Sequence, residues 1–319
     1  MVSTGTLMKR ATEACLVALA LVLAGCSDKP APQAEQALTS DTTFLADNAI
    51  WQTERRNALL APDGWTSLVG LHWLELKSHY IGSGPGSGIR LEVGPPRLGL
   101  VQQLGGKVYF TPERGVAMTA DGQPLTRRIQ LIDDQSGKAT VIGFDDGANQ
   151  MTLIRRGSRL GLRIKSANAP ARLQFTALEY WPPDPSWRIQ GRFIASAPGS
   201  TLTFTDMVGN TVAAPSPGVI EFERDGRPYR LTAMEGEDGG LFLVMADRTS
   251  GHGSYPAGRF LDAPAADASG KVVLDFNRAY NPPCVFTRFA TCPLPPAENR
   301  LDLLVDAGEK IYTGPVGSH

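Results

Sequence analysis

Residues 219–231 read VIEFERDGRPYRL, and this stretch decides the fold class. Two short runs that are typical of strands, Val219–Glu223 and Arg227–Leu231, flank the dipeptide Asp225-Gly226. Asp-Gly between two such runs favours a tight turn. The stretch therefore predicts two antiparallel strands joined by a hairpin.

Signals of the same kind recur on both sides of this hairpin. Glycine-containing turns follow one another at short intervals, at 84–88, 105–106, 121–122, 136–137, 146–147 and 156–157. The other runs predicted as strands are Ile129–Ile132, Lys138–Phe144, Met151–Arg155, Leu160–Ile164, Thr201–Thr205 and Leu241–Ala246. Many short strands at turn-separated intervals predict a mainly β protein, built as an antiparallel β-sandwich or barrel.

One helix is expected before the strands. Thr43–Leu60 has a helix-like apolar pattern, which ends before Pro62. The proline-rich crossing 168–187, which contains YWPPDPSW, suggests a boundary between two β subdomains. The first, 44–167, would hold the helix and a sandwich, and the second would be 188–319. Equally, the crossing is a packed linker inside one unit.

The N-terminus carries the features of an export signal. A basic pair, Lys9 and Arg10, precedes the apolar run Ala14–Ala24, which is too short to span a bilayer. Leu23-Ala24-Gly25-Cys26 then resembles the lipobox of bacterial lipoproteins, which implies a signal peptide over 1–25 and a lipid on Cys26. A plain secretory signal is the alternative. The polar, Ala/Pro-rich stretch 26–43 is expected to be a flexible tether.

The resemblance to lipoproteins also predicts a location. The lipid would hold the protein at the bacterial envelope, facing the periplasm, with the membrane as its partner. Ser27 after the lipidated cysteine favours the outer membrane over the inner one if the host is Gram-negative. The formal net charge of −1 provides no basic footprint for nucleic acid.

Two cysteines remain once Cys15 leaves with the signal and Cys26 carries lipid. In an oxidising compartment, Cys284 and Cys292 are expected to form a disulfide, which would fix the loop between them. A metal or redox pair is the alternative. Structural zinc sites require four ligands and no histidine lies near these cysteines in the sequence, so no metal is expected.

The chain contains none of the standard catalytic motifs for nucleotides, zinc proteases, α/β-hydrolases or dinucleotides, and no cofactor is expected. Two C-terminal stretches nevertheless concentrate polar side chains. The first, 247–255, reads DRTSGHGSY and contains Asp247 and His252. The second, 275–296, reads DFNRAYNPPCVFTRFATCPLPP and combines Asp275 with stiff prolines. Stiff, polar segments are what binding or catalytic sites require.

The C-terminal motifs resemble those of a bacterial family known only as domain of unknown function 1684. They are GRFL at 258–261, DFNRAYNPPC at 275–284, TCPLPPAEN at 291–299 and AGE at 307–309, and GWTSLVGLHWL at 64–74 with IGS at 81–83 matches the N-terminal part. The resemblance spans Trp51–Tyr312 and implies no reaction. The first half also loosely resembles the forkhead-associated sandwich, although Ser83 stands where that family has its phosphate-binding arginine.

Two functions stay open for a cleft built by 247–259 and 275–299. One is binding of a small polar ligand, a glycan or a partner protein. The residues expected to contact the ligand are Thr249, Tyr255, Asn277, Tyr280, Asn281, Glu298 and Asn299. The other function is hydrolysis, with Asp247 or Asp275 as general acid or base, His252 as proton shuttle and Arg259 as anion stabiliser. Arg259 is expected to pair with Asp275 or Asp247.

Overall fold

The computed structural model describes residues 33–316, with side chains from residue 42 onward. The predicted signal peptide and the lipidated Cys26 lie outside the described residues. Helix α1 spans Gln33–Leu60 and helix α2 spans Pro170–Leu173. No helix within the described residues is long and apolar enough to cross a membrane.

The expected N-terminal helix is present and ends where the sequence predicts. It begins at Gln33 instead of Thr43, because the preceding Gln, Ala and Glu residues are good helix formers. A Cβ on Gly64 would lie 2.5 Å from the carbonyl oxygen of Ala58, so only glycine lets the chain fold back against the end of α1. This tight return brings the next residue, Trp65, alongside the helix.

The first β part is a sandwich of two sheets. Its strands are β1 Leu68–Trp73, β2 Ser78–Gly82, β3 Ile89–Arg90, β4 Gly99–Leu104, β5 Lys107–Pro112, β6 Met118–Ala120, β7 Gln123–Pro124, β8 Ile129–Leu131, β9 Val141–Phe144, β10 Asn149–Arg156 and β11 Arg159–Ser166. The sheet orders are β1-β11-β10-β9-β6-β7 and β3-β2-β4-β5-β8. Buried side chains from both sheets, such as Phe110 and Met151, share one apolar core.

The second β part has its own core. Its strands are β12 Arg188–Ala195, β13 Thr201–Thr205, β14 Thr211–Pro215, β15 Gly218–Arg224, β16 Arg227–Glu235, β17 Leu241–Met245, β18 Arg259–Ala263 and β19 Lys271–Asp275. Six of them form a sheet in the order β18-β17-β16-β15-β12-β19, and β13 pairs with β14. The mainly β, antiparallel fold is therefore confirmed. From Asp41 onward the chain is one compact unit, and the boundary at 168–187 stays a prediction.

The hairpin predicted from 219–231 is formed by β15 and β16. Arg224 pairs with Arg227 across the two-residue turn. Both turn residues have positive φ angles, 53° at Asp225 and 71° at Gly226. Asp and Gly tolerate this left-handed conformation, and it matches the twist of the flanking strands. The local chemistry of the turn thus fixes the register between β15 and β16.

The segment that follows β19 has short 3₁₀ turns instead of strands in its described part, yet its side chains are largely buried. Phe276, Phe286 and Ala307 are fully enclosed. Tyr280 makes reciprocal backbone hydrogen bonds with Phe260 of β18, 2.9 Å in each direction. The segment therefore lies against the edge strand of the second sheet and supplies side chains beside it.

Candidate functional site

A cavity of about 920 Å³ lies between the C-terminal half of α1 and the β16–β18 edge of the second sheet. Its walls come from four stretches of the chain, 51–65, 235–242, 260–263 and 280–283. The lining residues are Trp51, Glu54, Arg55, Ala58, Leu59, Trp65, Glu235, Gly236, Glu237, Gly240, Leu241, Phe242, Phe260, Asp262, Ala263, Tyr280 and Pro283. We call this cavity the α1–β18 pocket.

The helical wall of the pocket follows from residue spacing. Trp51, Glu54, Arg55 and Ala58 recur at three- and four-residue intervals, which places them on one face of α1. The opposite face, which includes Ala49, is exposed. One face of the helix therefore lines the cavity. Phe44 and Asn48 of α1 are also buried but do not line it, and Ala49 is exposed to solvent.

Arg55 fastens this helix to the C-terminal segment. Its Nε donates to Glu309 Oε1 at 2.9 Å, and its Nη2 donates to the carbonyl oxygen of Asn281 at 2.8 Å. The other carboxylate oxygen of the fully buried Glu309 accepts from the Asn281 N–H at 2.7 Å. The guanidinium also lies 4.6 Å from the centre of the Tyr280 ring. The Arg55 guanidinium is thus already bonded to protein groups, the Glu309 carboxylate and the Asn281 carbonyl.

Asp262 and Tyr280 form a hydrogen-bonded pair among the aromatic side chains of the pocket. The surrounding walls desolvate the Asp262 carboxylate and raise its pKa, the hydrogen bond from Tyr280 opposes this rise, and the charge of Glu237 adds to it. Burial and the charge of Asp262 together raise the pKa of Tyr280 well above its ordinary value. Tyr280 therefore stays a hydrogen-bond donor to Asp262 at physiological pH.

The aromatic side chains of the pocket hold one another in place. Phe260 packs edge-to-face against both Phe242 and Tyr280, with ring centres 4.9 and 5.8 Å apart. Trp51 packs in the same way on Tyr180 at 6.2 Å. Such contacts fix ring orientations, so the pocket wall is formed before any ligand arrives.

Comparison with known proteins gives the family of this chain. The family model described as "Protein of unknown function (DUF1684)" matches residues 173–310. This chain belongs to the DUF1684 family. The match includes Asp262, Tyr280 and Glu309 but not Trp51 or Arg55, so it is shorter than the resemblance expected from the motifs. The DUF1684 region supplies the sheet side of the pocket, and α1 supplies the other side.

One similar solved structure is the solution NMR structure of the uncharacterized protein from gene locus rrnAC0354 of Haloarcula marismortui. The identity is 30%, over 44% of this chain and 78% of that chain, and the TM-score is 0.37. None of the curated proteins matches this chain. The loose resemblance of the first half to the forkhead-associated sandwich stays a prediction.

In this DUF1684 protein, Arg259 and Asp247 form a buried ion pair. The sequence predicted Asp247 or Asp275 as the partner of Arg259, and the partner is Asp247. Arg259 Nη2 lies 2.9 Å from Asp247 Oδ2 and 2.8 Å from the carbonyl oxygen of Val305, and Nη1 donates to the carbonyl of Ala307. Thr249 donates its hydroxyl to Asp247 at 2.6 Å. Both charged side chains are almost entirely inaccessible to solvent. The network ties β18 and the 247–250 loop to the C-terminal segment.

His252 and Asp275 lie apart from that network. The His252 imidazole is exposed, with Nδ1 3.3 Å from the carbonyl oxygen of Ser250. Asp275 faces Arg188 at 3.4 Å and Arg278 at 3.6 Å. The side chains of Asp247, His252 and Asp275 thus have separate partners, and none of the three lines the α1–β18 pocket.

The other predicted binding residues lie in several different environments. Asn277, Asn281 and Asn299 are buried and hold backbone groups: Asn277 bonds Asp184, Asn281 bonds Lys310, and Asn299 bonds Thr232 and Val244. Thr249 belongs to the Arg259 network, and Glu298 is exposed. Tyr255 lies beside the two cysteines. Only Tyr280 of the predicted set lines the α1–β18 pocket.

The expected disulfide between Cys284 and Cys292 is wrong, because both are free thiols in the structure. The backbone N–H of Cys284 donates to Cys292 Sγ at 3.2 Å, so the sulfur approaches main chain rather than forming a covalent bond. A hydrogen bond between the thiols lowers the pKa of Cys284, and the same contact raises that of Cys292. The 283–292 loop is held by packing of Val285 and Phe286, which are buried.

Sequence reasoning missed Arg55, Asp262 and Glu309 as parts of a site. Asp262 had a usable signal, since it is a carboxylate in the otherwise apolar run FLDA at 260–263. Glu309 had one too, because it lies in the AGE motif. Arg55 had only its position on the helix face, and its partner is 254 residues away in sequence.

Proposed function

We propose that this DUF1684 protein is a lipid-anchored protein of the bacterial envelope that binds a small ligand with a polar group in the α1–β18 pocket. The observation that carries the binding proposal is the cavity of about 920 Å³. Sites for small molecules are concave, mostly apolar and lined by a few polar groups, and their volumes are of about this size. The aromatic walls and the Asp262 carboxylate match that description.

Preformed geometry supports binding. Arg55 is anchored by Glu309 and Asn281, and the aromatic rings of the sheet side pack on one another. A ligand would therefore lose little affinity to ordering of the walls. A concave cleft between a helix and a sheet edge favours a small molecule over a partner protein, which would need a broad surface.

The envelope location is supported by the sequence alone. Lys9 and Arg10, the apolar run Ala14–Ala24 and Cys26 occur in the order that lipoprotein signals require. The lipid on Cys26 makes the membrane the partner of the N-terminus. Ser27 favours the outer membrane if the host is Gram-negative.

Hydrolysis is the weaker candidate. Asp247 and Arg259 are enclosed in the core, where substrate has no access, and His252 lies on the surface. A general acid and its proton shuttle must reach the same substrate atoms within hydrogen-bonding distance. The residues expected to perform hydrolysis do not meet this condition, so binding is the function that the geometry supports better.

A thermal-shift screen of the purified full chain tests the binding proposal. The probes are monosaccharides, peptidoglycan fragments, phosphate esters and simple amines. The pocket-filling variant Ala58→Trp adds an indole to the helical wall, and the matched control Ala49→Trp adds one to the exposed opposite face. A binding probe raises the midpoint, and at about 100 times its Kd it adds about 2.7 kcal/mol.

We expect the shift to persist in Ala49→Trp and to disappear in Ala58→Trp. A probe that stabilises both variants equally would show that it binds elsewhere and would contradict the proposal.

A further inference from the structure

We propose that the α1–β18 pocket selects organic cations, meaning ligands that carry a positively charged nitrogen on an apolar or aromatic body. This inference rests on the proposed function, because it names the ligand class of the same pocket. It is carried by three observations: the charges that line the cavity, the polar groups that its lining lacks, and the aromatic faces beside the charges.

The lining is strongly acidic. Glu54 comes from α1, Glu235 from the end of β16, Glu237 from the turn that follows it, and Asp262 from β18. Among the described lining residues, Arg55 is the only cation. Its guanidinium is already bonded to the buried carboxylate of Glu309 and to a backbone carbonyl.

Of the pocket carboxylates, Asp262 is affected by the positive charge of Arg55, which lowers its pKa but is already paired with Glu309. Within the described chain, none of the ion pairs involves Glu54, Glu235, Glu237 or Asp262. Glu237 and Asp262 carry like charges, and their repulsion contributes to the raised pKa of Asp262. A positive charge bound between them would relieve this repulsion, whereas an anion would add to it.

The lining is poor in neutral hydrogen-bonding side chains. None of the lining residues in the described chain is Ser, Thr, Asn, Gln or His. Tyr280 and the indole N–H groups of Trp51 and Trp65 are the neutral side-chain donors of the described lining, and its acceptors are mainly carboxylates. Charged acceptors bind charged donors more strongly than neutral ones. This lining therefore disfavours phosphate esters and favours ligands with a charged donor.

Aromatic faces lie next to the carboxylates. Trp51 and Trp65 line the helix side, and Phe242, Phe260 and Tyr280 line the sheet side. Aromatic faces attract cations through the negative charge of their π clouds, and several rings with a carboxylate form the usual recognition site for substituted ammonium groups. The apolar rings would also cover the hydrocarbon body of the ligand.

A titration with three probes that share one phenyl skeleton tests the inference. The probes are phenethylamine, which is a cation, 2-phenylethanol, which is neutral, and phenylacetate, which is an anion. Binding to the full chain is followed by tryptophan fluorescence, because Trp51 and Trp65 lie in the wall. We expect phenethylamine to bind at least about tenfold more tightly than 2-phenylethanol, as expected for a charge-assisted contact, and phenylacetate to bind most weakly.

Charge-removing variants test which carboxylates cause the preference for phenethylamine. Asp262→Asn and Glu237→Gln remove one charge each with little change in shape, and Glu75→Gln removes an exposed carboxylate outside the pocket. In the double variant Asp262→Asn/Glu237→Gln, the preference for phenethylamine should fall to about twofold or less if charge carries it. Glu75→Gln should leave the preference unchanged.

The outcomes separate the two proposals. If phenethylamine and 2-phenylethanol bind equally and both are blocked by Ala58→Trp, the cation inference is overturned and the pocket function stands. If phenethylamine binding persists in Ala58→Trp, the bound site is not the pocket and both proposals fail. If phenethylamine does not bind at all while another probe of the screen does, the cation inference is overturned.

Discussion

Replacing Asp247 by alanine tests whether the Arg259 network is architecture. The substitution removes the only carboxylate that pairs with Arg259 in the described structure and leaves a guanidinium enclosed in the protein. It also removes the acceptor for the Thr249 N–H, the Thr249 hydroxyl and the Val305 N–H. The 247–250 loop and the C-terminal segment lose a shared partner.

The expected loss of unfolding free energy in Asp247→Ala follows from these contacts. Removing one partner of a buried pair costs about 3–5 kcal/mol, because the remaining charge is uncompensated. Asp247 accepts four hydrogen bonds and is nearly inaccessible, so we expect the upper half of that range. Arg259 keeps its bonds to the carbonyls of Val305 and Ala307, which limits the loss.

Urea unfolding followed by tryptophan fluorescence measures the effect. We expect a lower free energy of unfolding for Asp247→Ala, and partial recovery in Asp247→Leu/Arg259→Met, where neither charge is buried. Below its unfolding transition, Asp247→Ala should bind phenethylamine like the unchanged protein. A stability loss under about 1 kcal/mol, or a folded variant without binding, would refute the assignment of Asp247 to architecture.

Four further predictions follow from the described contacts. Asp262→Asn should stabilise the protein at neutral pH, because burial raises the pKa of Asp262 and its ionisation lowers the stability of the folded state as the pH rises through that pKa. The difference in thermal midpoint from the unchanged protein should vanish below about pH 4, where Asp262 is protonated. A difference that does not depend on pH would contradict this. Arg55→Met should lower the free energy of unfolding by about 3 kcal/mol, because Glu309 is left buried and unpaired, and an unchanged urea midpoint would count against it. Thiol titration of the unfolded chain without reductant should find Cys284 and Cys292 free, and their absence from the count would reinstate a disulfide. Cys26→Ala should abolish labelling with a palmitate analogue and release the protein from the membrane fraction; continued labelling would contradict the anchor.

The elements that could be predicted are those fixed by neighbours in sequence. The 219–231 hairpin depends on Asp225-Gly226, and the end of α1 depends on residues 62–64, so both could be predicted from the sequence. The start of α1 could not be predicted, because the polar composition of 33–42 indicates a flexible tether although several of its residues favour a helix.

The site could not be predicted because its contacts are distant in sequence. Arg55 meets Glu309 across 254 residues, and no local pattern records such a pair. The pairing of Arg259 with Asp247 was expected from their proximity in sequence, but their enclosure depends on carbonyls at 305 and 307. His252 looked functional because its loop is polar, yet a polar loop is also what solvent exposure requires.

The most direct test of the account is an NMR titration of the five tryptophan indole N–H signals with phenethylamine. Trp51 and Trp65 line the α1–β18 pocket, whereas Trp73, Trp181 and Trp187 do not. The signals can be assigned with single Trp→Phe variants. We expect the signals of Trp51 and Trp65 to move in a saturable way while the other three stay in place. Movement of Trp73, Trp181 or Trp187 without Trp51 and Trp65 would contradict it.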